Sequence, residues 1–313
     1  VSGDPEAVLI TEFYGEDQAE LEAKLDRLAA HIKGQGLPVG AMPRMMDAAA
    51  KAEVWGVRKA GLGLLMSLRG DAKPVPFIED VAVPVEDLAA YVRDVQRVCN
   101  EVDTPLAMYA HASAGCIHLR PILNLQSARG VRDMETISRA VVELVLKYRG
   151  ALSSEHGDGR TRSWLNRHLF GDEVYEAFQQ VKAAFDPEGR MNPGNIVDAP
   201  PISQHLRYGP EYRTIPLYEH LDWSADHGFD GAVEMCNGAG ECRKVDGGTM
   251  CPSFMVTWEE EHSTRGRANL LRAALMGLIP RHQLFGERLA GAMDLCISCK
   301  ACKSECSSSV DMA

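Results

Sequence analysis

The sequence predicts an α+β fold: a mixed sheet layered with helices, followed by a mostly α-helical, cysteine-rich domain. Three observations carry this. Before position 200, strand and helix patterns occur together without strict alternation, the signature of a sheet layered with helices. A polar stretch opening with Pro200-Pro201 and running to Tyr218 reads as a linker, dividing the chain into 1–199, a linker at 200–222, and 223–313. Beyond it the composition shifts to cysteine, glycine and helix, with seven of nine cysteines after position 235.

In order, Ala7 to Tyr14 is a predicted strand by its β-branched and aromatic residues. A helix follows from about Glu16 to Ile32, with Leu21, Leu25, Leu28 and Ile32 on one face. Another is predicted over Ala48 to Lys59, ended by Gly61 and Gly63. Pro76 to Val83 reads as a strand and Val85 to Val98 as a helix. Two strands, Leu106 to Ala110 and Cys116 to Leu123, bracket a small-residue turn at Ala112 to Gly115. Helices then follow over Arg132 to Lys147 and Asp172 to Phe185.

At 313 residues and 45% hydrophobic, the chain suits two domains and a sizeable core. Its net charge of −11 argues against a nucleic-acid partner. The cysteine asymmetry points to metal chemistry in a reducing compartment rather than a disulfide scaffold, hence a cytoplasmic protein. The start, Val1-Ser-Gly-Asp-Pro, has no signal-peptide character, and no apolar run approaches the roughly 20 residues of a spanning helix. Lacking an initiator Met and stopping just after a cysteine motif, the sequence reads as a piece of something longer.

That motif is Cys296-Ile-Ser-Cys299-Lys-Ala-Cys302-Lys-Ser-Glu-Cys306. Thiolates at this spacing fit an iron–sulfur cube: it is the bacterial ferredoxin pattern, whose first three cysteines hold one cluster while the fourth reaches another. Structural zinc wants two separated Cys-x2-Cys pairs instead, and disulfides want an oxidising compartment. Upstream, Cys236-Asn-Gly-Ala239-Gly-Glu-Cys242 is a half-motif whose middle cysteine has become Ala239, and Cys251-Pro252 follows. By crossed ligation, Cys251 completes a 4Fe-4S cluster with Cys296, Cys299 and Cys302. Cys306 then joins Cys236 and Cys242 at a second site. Three thiolates there favour a 3Fe-4S cluster; the alternatives are 4Fe-4S with another ligand, or no second cluster.

Two stretches of the first domain carry further chemistry. His111-Ala-Ser-Ala-Gly-Cys-Ile-His118-Leu-Arg120 sets two imidazoles and a guanidinium around a tight turn. Ser154-Glu155-His156-Gly-Asp158-Gly delivers a carboxylate and an imidazole side by side on flexible backbone. Two His and one carboxylate form an open ligand set for Zn²⁺, Mn²⁺ or Fe²⁺. Asp158 reads as a turn residue, and Cys99 and Cys116 as buried small hydrophobes. No Gly-x-Gly-x-x-Gly or Walker loop is present. Clusters take single electrons while organic substrates release two, so a flavin is implied, held mostly outside these residues.

The chain resembles the FAD-linked D-2-hydroxy acid dehydrogenases and oxidases, the family of D-lactate dehydrogenase, the glycolate oxidase flavin subunit and D-2-hydroxyglutarate dehydrogenase. It looks closest to members fused to an iron–sulfur segment. The resemblance rests on Trp55-Gly-Val-Arg58, Lys73-Pro-Val-Pro-Phe-Ile-Glu-Asp80, His111 to Pro121, Glu155-His156-Gly-Asp-Gly and Phe185 to Ile196. Gly248-Thr-Met-Cys251-Pro, His262 to Arg267 and the final cysteine run complete it. It implies a cap domain that closes over a flavin, then a ferredoxin-like domain, with the FAD-binding domain preceding Val1. By resemblance, His111, His118 and Glu155 hold a divalent metal, and His156 is the general base. Arg58 clamps the substrate carboxylate, and Asn192 falls in a segment that touches the flavin, where a plain turn before Pro193 is the other reading. Arg120 stands where relatives have Asn and is expected to add a second anion contact. Implied partners are a small 2-hydroxy acid, a quinone or carrier protein, the FAD-binding domain, the inner membrane face and further subunits. The alternative is a non-catalytic electron-transfer subunit in which the first domain's His and Glu residues are structural.

Overall fold

The computed structural model describes residues 5–284 and 286–313. They fall into two compact units, Val1–Gly61 and Leu62–Ala313. In the first unit, the segment expected as a strand at 7–14 is irregular. No ladder partner runs beside it among the described residues, and Val8 and Leu9 are 62% and 74% exposed. Strand-forming residues make a strand only when a neighbour takes up their backbone N–H and C=O groups.

Helix α1 (Gln18–Gly34) begins at Asp17, whose carboxylate accepts the Glu20 N–H at 2.8 Å, a side-chain N-cap. Its expected apolar stripe is half-buried. Helix α2 (Ala48–Met66) corrects another expectation by continuing through Gly61 and Gly63. A helical glycine costs only about 1 kcal/mol relative to Ala. At Gly63 it also makes room, since a Cβ would stand 3.1 Å from the Ser307 carbonyl oxygen.

The second unit is built on one long strand. Strand β1 (Ala72–Pro74) and strand β2 (Val81–Ala82) pair with one edge of β4 (Cys116–Asn124), and β3 (Leu106–His111) with the other. The strand expected over Pro76 to Val83 is thus reduced to β2, because residues 76–80 turn between the two short pairings. Within the expected α+β class, every pairing is antiparallel where a mixed sheet was expected. The reason lies in the β3–β4 turn: four residues join antiparallel strands, whereas a parallel pair needs a crossover of about a dozen. Gly115 closes that turn at φ 70°, and a Cβ there would lie 2.0 Å from the Val83 carbonyl oxygen.

Helices α3 (Leu88–Glu101) and α4 (Ala128–Lys147) cover one face of the sheet. Tyr91, Val95, Ile137 and Val141 pack there with Ile117, Leu119 and Leu123 of β4. Strand alternation then turns Cys116, His118 and Arg120 to the opposite face, where they are also buried. Short α5 (Gly159–Arg162) leads to α6 (Asn166–Phe185), interrupted at Gly171, so its regular part starts at Asp172 as expected. Segment 200–222 is irregular, anchored by buried Ile202 and by Tyr212, whose hydroxyl donates to Glu234 at 2.5 Å.

The remainder is α7 (Phe229–Glu234), α8 (Pro252–Thr257), α9 (Thr264–Leu275), α10 (Glu287–Asp294) and α11 (Ala301–Glu305), joined by irregular turns. Among the described residues, no helix is long and apolar enough to cross a membrane.

Candidate functional site

The turn after β3 and the first residues of β4 bring His111 and His118 together, with ring centroids 5.2 Å apart. His118, 3% exposed, lies between the rings of Tyr109 and His156, at 4.7 and 5.4 Å. Glu155 completes the group. Its Oε1 is 3.2 Å from His118 Nε2, 3.7 Å from His111 Nε2 and 3.7 Å from His156 Nε2. Burial pushes His118 below its ordinary pKa, against the opposing pull of Glu79 and Glu155, which favours the neutral imidazole that ligates cations.

What holds Glu155 and His156 in place is Asp80, a residue with no assigned role in the sequence reading. It is fully buried at φ 76°. Its carboxylate accepts from Ser153 Oγ at 2.6 Å and Ser154 Oγ at 2.8 Å. It also takes the backbone N–H groups of Ser154, Glu155 and His156 at 3.0, 3.0 and 2.9 Å. Burial works against the charge, but these donors prevail and hold Asp80 well below the usual carboxylate range. Arg162, also buried, donates to the Glu79 and Gly157 carbonyls and closes the loop from behind.

Glu79 is the second residue missed. Its Oε1 lies 3.2 Å from His156 Nδ1, and its other oxygen pairs with Arg120. Arg120 is therefore 6% exposed and taken up by Glu79, rather than turned outward as the expected second anion contact. A buried guanidinium needs an anion or a full set of acceptors, and Glu79 is the carboxylate beside this one. The signal was the Glu79-Asp80 pair itself: two acids at the mouth of a buried strand.

Among the described residues, three overlapping sets each bring their donor atoms within 4.8 Å of one another: His111/His118/Glu155, Glu79/His118/His156 and Asp80/Glu155/His156. The first fits a cation best. Asp80 is saturated by donors and Glu79 is committed to Arg120, whereas Glu155 carries an accessible carboxylate at the centre of the imidazoles. Bonds of about 2.0–2.2 Å place ligand atoms about 3–3.5 Å apart, close to the separations present. Cys116 is buried as expected, with its Sγ 3.2 Å from Ser154 Oγ and 3.9 Å from Glu155 Oε1. Arg58 lies half-buried on α2 in the Val1–Gly61 unit. Asn192 is exposed at φ 50°, in the turn that Asp186 organises by accepting the Arg190 and Met191 N–H groups at 2.8 Å.

The cysteines separate into two groups. Cys251, Cys296, Cys299 and Cys302 line one small cavity with Met250 and Arg267. Cys306 packs against the buried clusters that contain Cys242 and Cys236. All are free thiols. Burial pushes Cys236, Cys242 and Cys302 up. Cys251 is also buried, yet Ser253, the Phe254 N–H and Arg267 together hold it below its ordinary value. Glu305 ties the Cys251 loop to the terminal run, accepting from Lys244 Nζ at 2.8 Å and from the N–H groups of Thr249 and Met250 at 2.8 and 3.1 Å.

Two families match. The FAD linked oxidases, C-terminal domain, cover residues 1–196, and the 4Fe-4S dicluster domain covers 232–310. Among similar proteins, D-2-hydroxyglutarate dehydrogenase of Escherichia coli is 32% identical across 97% of this chain and 33% of its own length. That of Pseudomonas putida is 32% identical across 97% of this chain and 34% of its own length. Glycolate oxidase subunit GlcD of Escherichia coli is 26% identical across 62% of this chain and 38% of its own length. The chain thus spans about a third of the D-2-hydroxyglutarate dehydrogenases it matches. The carboxylate-centred imidazoles and the converging thiols lie inside the two matched regions, and the chain belongs to the FAD-linked oxidase C-terminal domain family, continued by a 4Fe-4S dicluster segment.

Proposed function

We propose that the intact protein oxidises a D-2-hydroxy acid to the 2-oxo acid and passes the electrons to a quinone or carrier protein. Residues 1–199 form the substrate-binding cap, 200–222 the connection and 223–313 the iron–sulfur domain. His111, His118 and Glu155 hold a divalent cation (Zn²⁺, Mn²⁺ or Fe²⁺). Cys251, Cys296, Cys299 and Cys302 hold a 4Fe-4S cluster, and Cys236, Cys242 and Cys306 a second, 3Fe-4S or 4Fe-4S. FAD is held mainly by another domain, with Asn192 toward it. When bound, the cation supplies a Lewis acid, the flavin a two-electron acceptor for the α-hydrogen, and the clusters one-electron carriers.

The observation that carries the reading is the setting of His156. Glu79 faces its Nδ1 at 3.2 Å and fixes the proton there, so Nε2 presents its lone pair beside Glu155, 3.7 Å away. Nε2 takes the proton of the substrate hydroxyl. Glu155 and the two histidines would hold the cation, which would supply a Lewis acid to that hydroxyl. Arg58 binds the substrate carboxylate in bidentate fashion. Arg120 pairs with the other oxygen of Glu79 and holds that carboxylate against His156. An oligomer, located in the cytoplasm at the inner membrane face, belongs to the same proposal.

Anaerobic addition of D-2-hydroxyglutarate, D-lactate or glycolate to the intact protein should bleach its flavin, and L-enantiomers should not. Bleaching by none of these acids overturns the reading. Clusters without flavin in the intact protein give the electron-transfer subunit instead.

A further inference from the structure

Arg267, on α9, has one of the largest fully buried side chains in the described residues, with no measurable exposure. A guanidinium cannot shed its proton, so its charge is buried with it. Such a charge persists in a protein interior only beside an anion or in a full set of acceptors. Arg267 has three partners. Its Nε donates to the Ala292 carbonyl at 2.6 Å, and Nη2 to Ser253 Oγ at 2.9 Å. Nη1 points at Cys251 Sγ, 3.5 Å away. Among the described residues no carboxylate pairs with it, and of its three hydrogen-bond partners only Cys251, as the thiolate, can carry a compensating charge.

The second cysteine group is furnished differently. Arg265 donates its backbone N–H to Cys242 Sγ at 3.2 Å, but its guanidinium lies against Glu260 at 2.8 and 3.0 Å, a carboxylate that half-exposed Arg243 shares at 2.8 Å. Lys300 and Lys303, on the terminal run, share Asp311 and stand largely exposed. Among the described residues, the cysteine cavity is therefore lined by a buried cation without a carboxylate partner.

We propose that Arg267 sets the reduction potential of the cluster held by Cys251, Cys296, Cys299 and Cys302, raising it through a buried positive charge and a hydrogen bond to the Cys251 sulfur. Reduction adds one electron and no atoms, so the oxidised and reduced clusters differ by one negative charge. A fixed cation beside a ligand sulfur stabilises the more negative form, and low local polarisability makes that preference large. This rests on the ligand set proposed above. Arg267 is a positioning and tuning residue; it touches a ligand sulfur and no substrate.

The test is a potentiometric titration of the intact, cluster-loaded protein, followed by EPR of the reduced state with iron analysis. Arg267→Gln should bind the electron at least tenfold more weakly, which is about 59 mV for a one-electron couple. Arg267→Lys, keeping the charge, should stay within about threefold of the parent. A parent protein without this cluster signal would defeat the ligand assignment itself. A loaded Arg267→Gln variant with an unmoved midpoint would leave that assignment intact and overturn the proposal. Should Arg267→Gln not load, Ser253→Asp provides the reading, since it neutralises Arg267 without removing it. It too should weaken electron binding at least tenfold, and an unmoved midpoint overturns the proposal. Failure of both variants to load would make Arg267 an assembly anchor, and the proposal falls.

Discussion

The histidine cluster and the cysteine cavity solve the same problem with opposite charges. Behind the imidazoles lie two buried acids, Asp80 and Glu79, one fixing the Glu155–His156 backbone and the other the His156 ring. Behind the thiols lies one buried base, Arg267. In each case the hidden charge is opposite in sign to what the site is proposed to receive: acids behind the proposed cation ligands, a base behind the proposed ligands of an electron-accepting anionic cluster. Ligand side chains near the surface are mobile, and a buried counter-charge with several hydrogen bonds holds them in one geometry.

The comparison predicts its own failures, from the largest effect to the smallest. His156→Ala should lower kcat of the intact enzyme by about 10²–10⁴-fold, the scale of a lost general base, while leaving bound metal unchanged. Unchanged kcat would remove His156 from the chemistry. Asp80→Ala strands three backbone N–H groups and leaves the buried Arg162 guanidinium, 3.9 Å from that carboxylate, without its nearby acid, and should destabilise the fold by about 3–5 kcal/mol in denaturant unfolding. A variant as stable as the parent would show the loop to be self-supporting. Glu79→Gln keeps the shape but lets His156 turn, and should cost about 10–100-fold in activity, with a changed pH profile of kcat/KM. A uniform loss with the parent's pH profile would make Glu79 merely a partner for Arg120.

The smallest effect concerns Glu305. Its carboxyl is held down to about 2, chiefly by Lys244 and by the Met250 and Thr249 amides, from an ordinary 4.5. A group depressed in the folded state contributes stability above its ordinary pKa and loses it as pH falls through the folded value. Hydrogen-exchange protection of Thr249 and Met250 should therefore hold down to about pH 4.5 and fade toward pH 2. Glu305→Gln should lack that pH dependence.

Much of both sites was legible because it is local. The x2-x2-x3 cysteine spacing, the His-x6-His turn and the Glu155-His156 pair are fixed within a few residues of chain. Helix α1 followed from its apolar periodicity to within two residues at each end, and the helix expected from Asp172 is the regular part of α6. The misses share one physical cause: they depend on what a segment meets rather than on what it contains. Residues 7–14 have strand composition without a ladder partner, and α2 ignores its glycines because their cost is small against the rest of the helix. The sheet is antiparallel because of the turn that Gly115 permits under Val83.

The chemistry on offer, imidazole, carboxylate and thiol in set spacings, was determined by sequence alone. Tertiary structure decided which charges stand behind it. Asp80 reaches amides 74 to 76 positions away, Glu79 joins Arg120 to His156, and Arg267 meets Cys251 from another helix. Hydrogen bonding and desolvation act through space, and no local period records them.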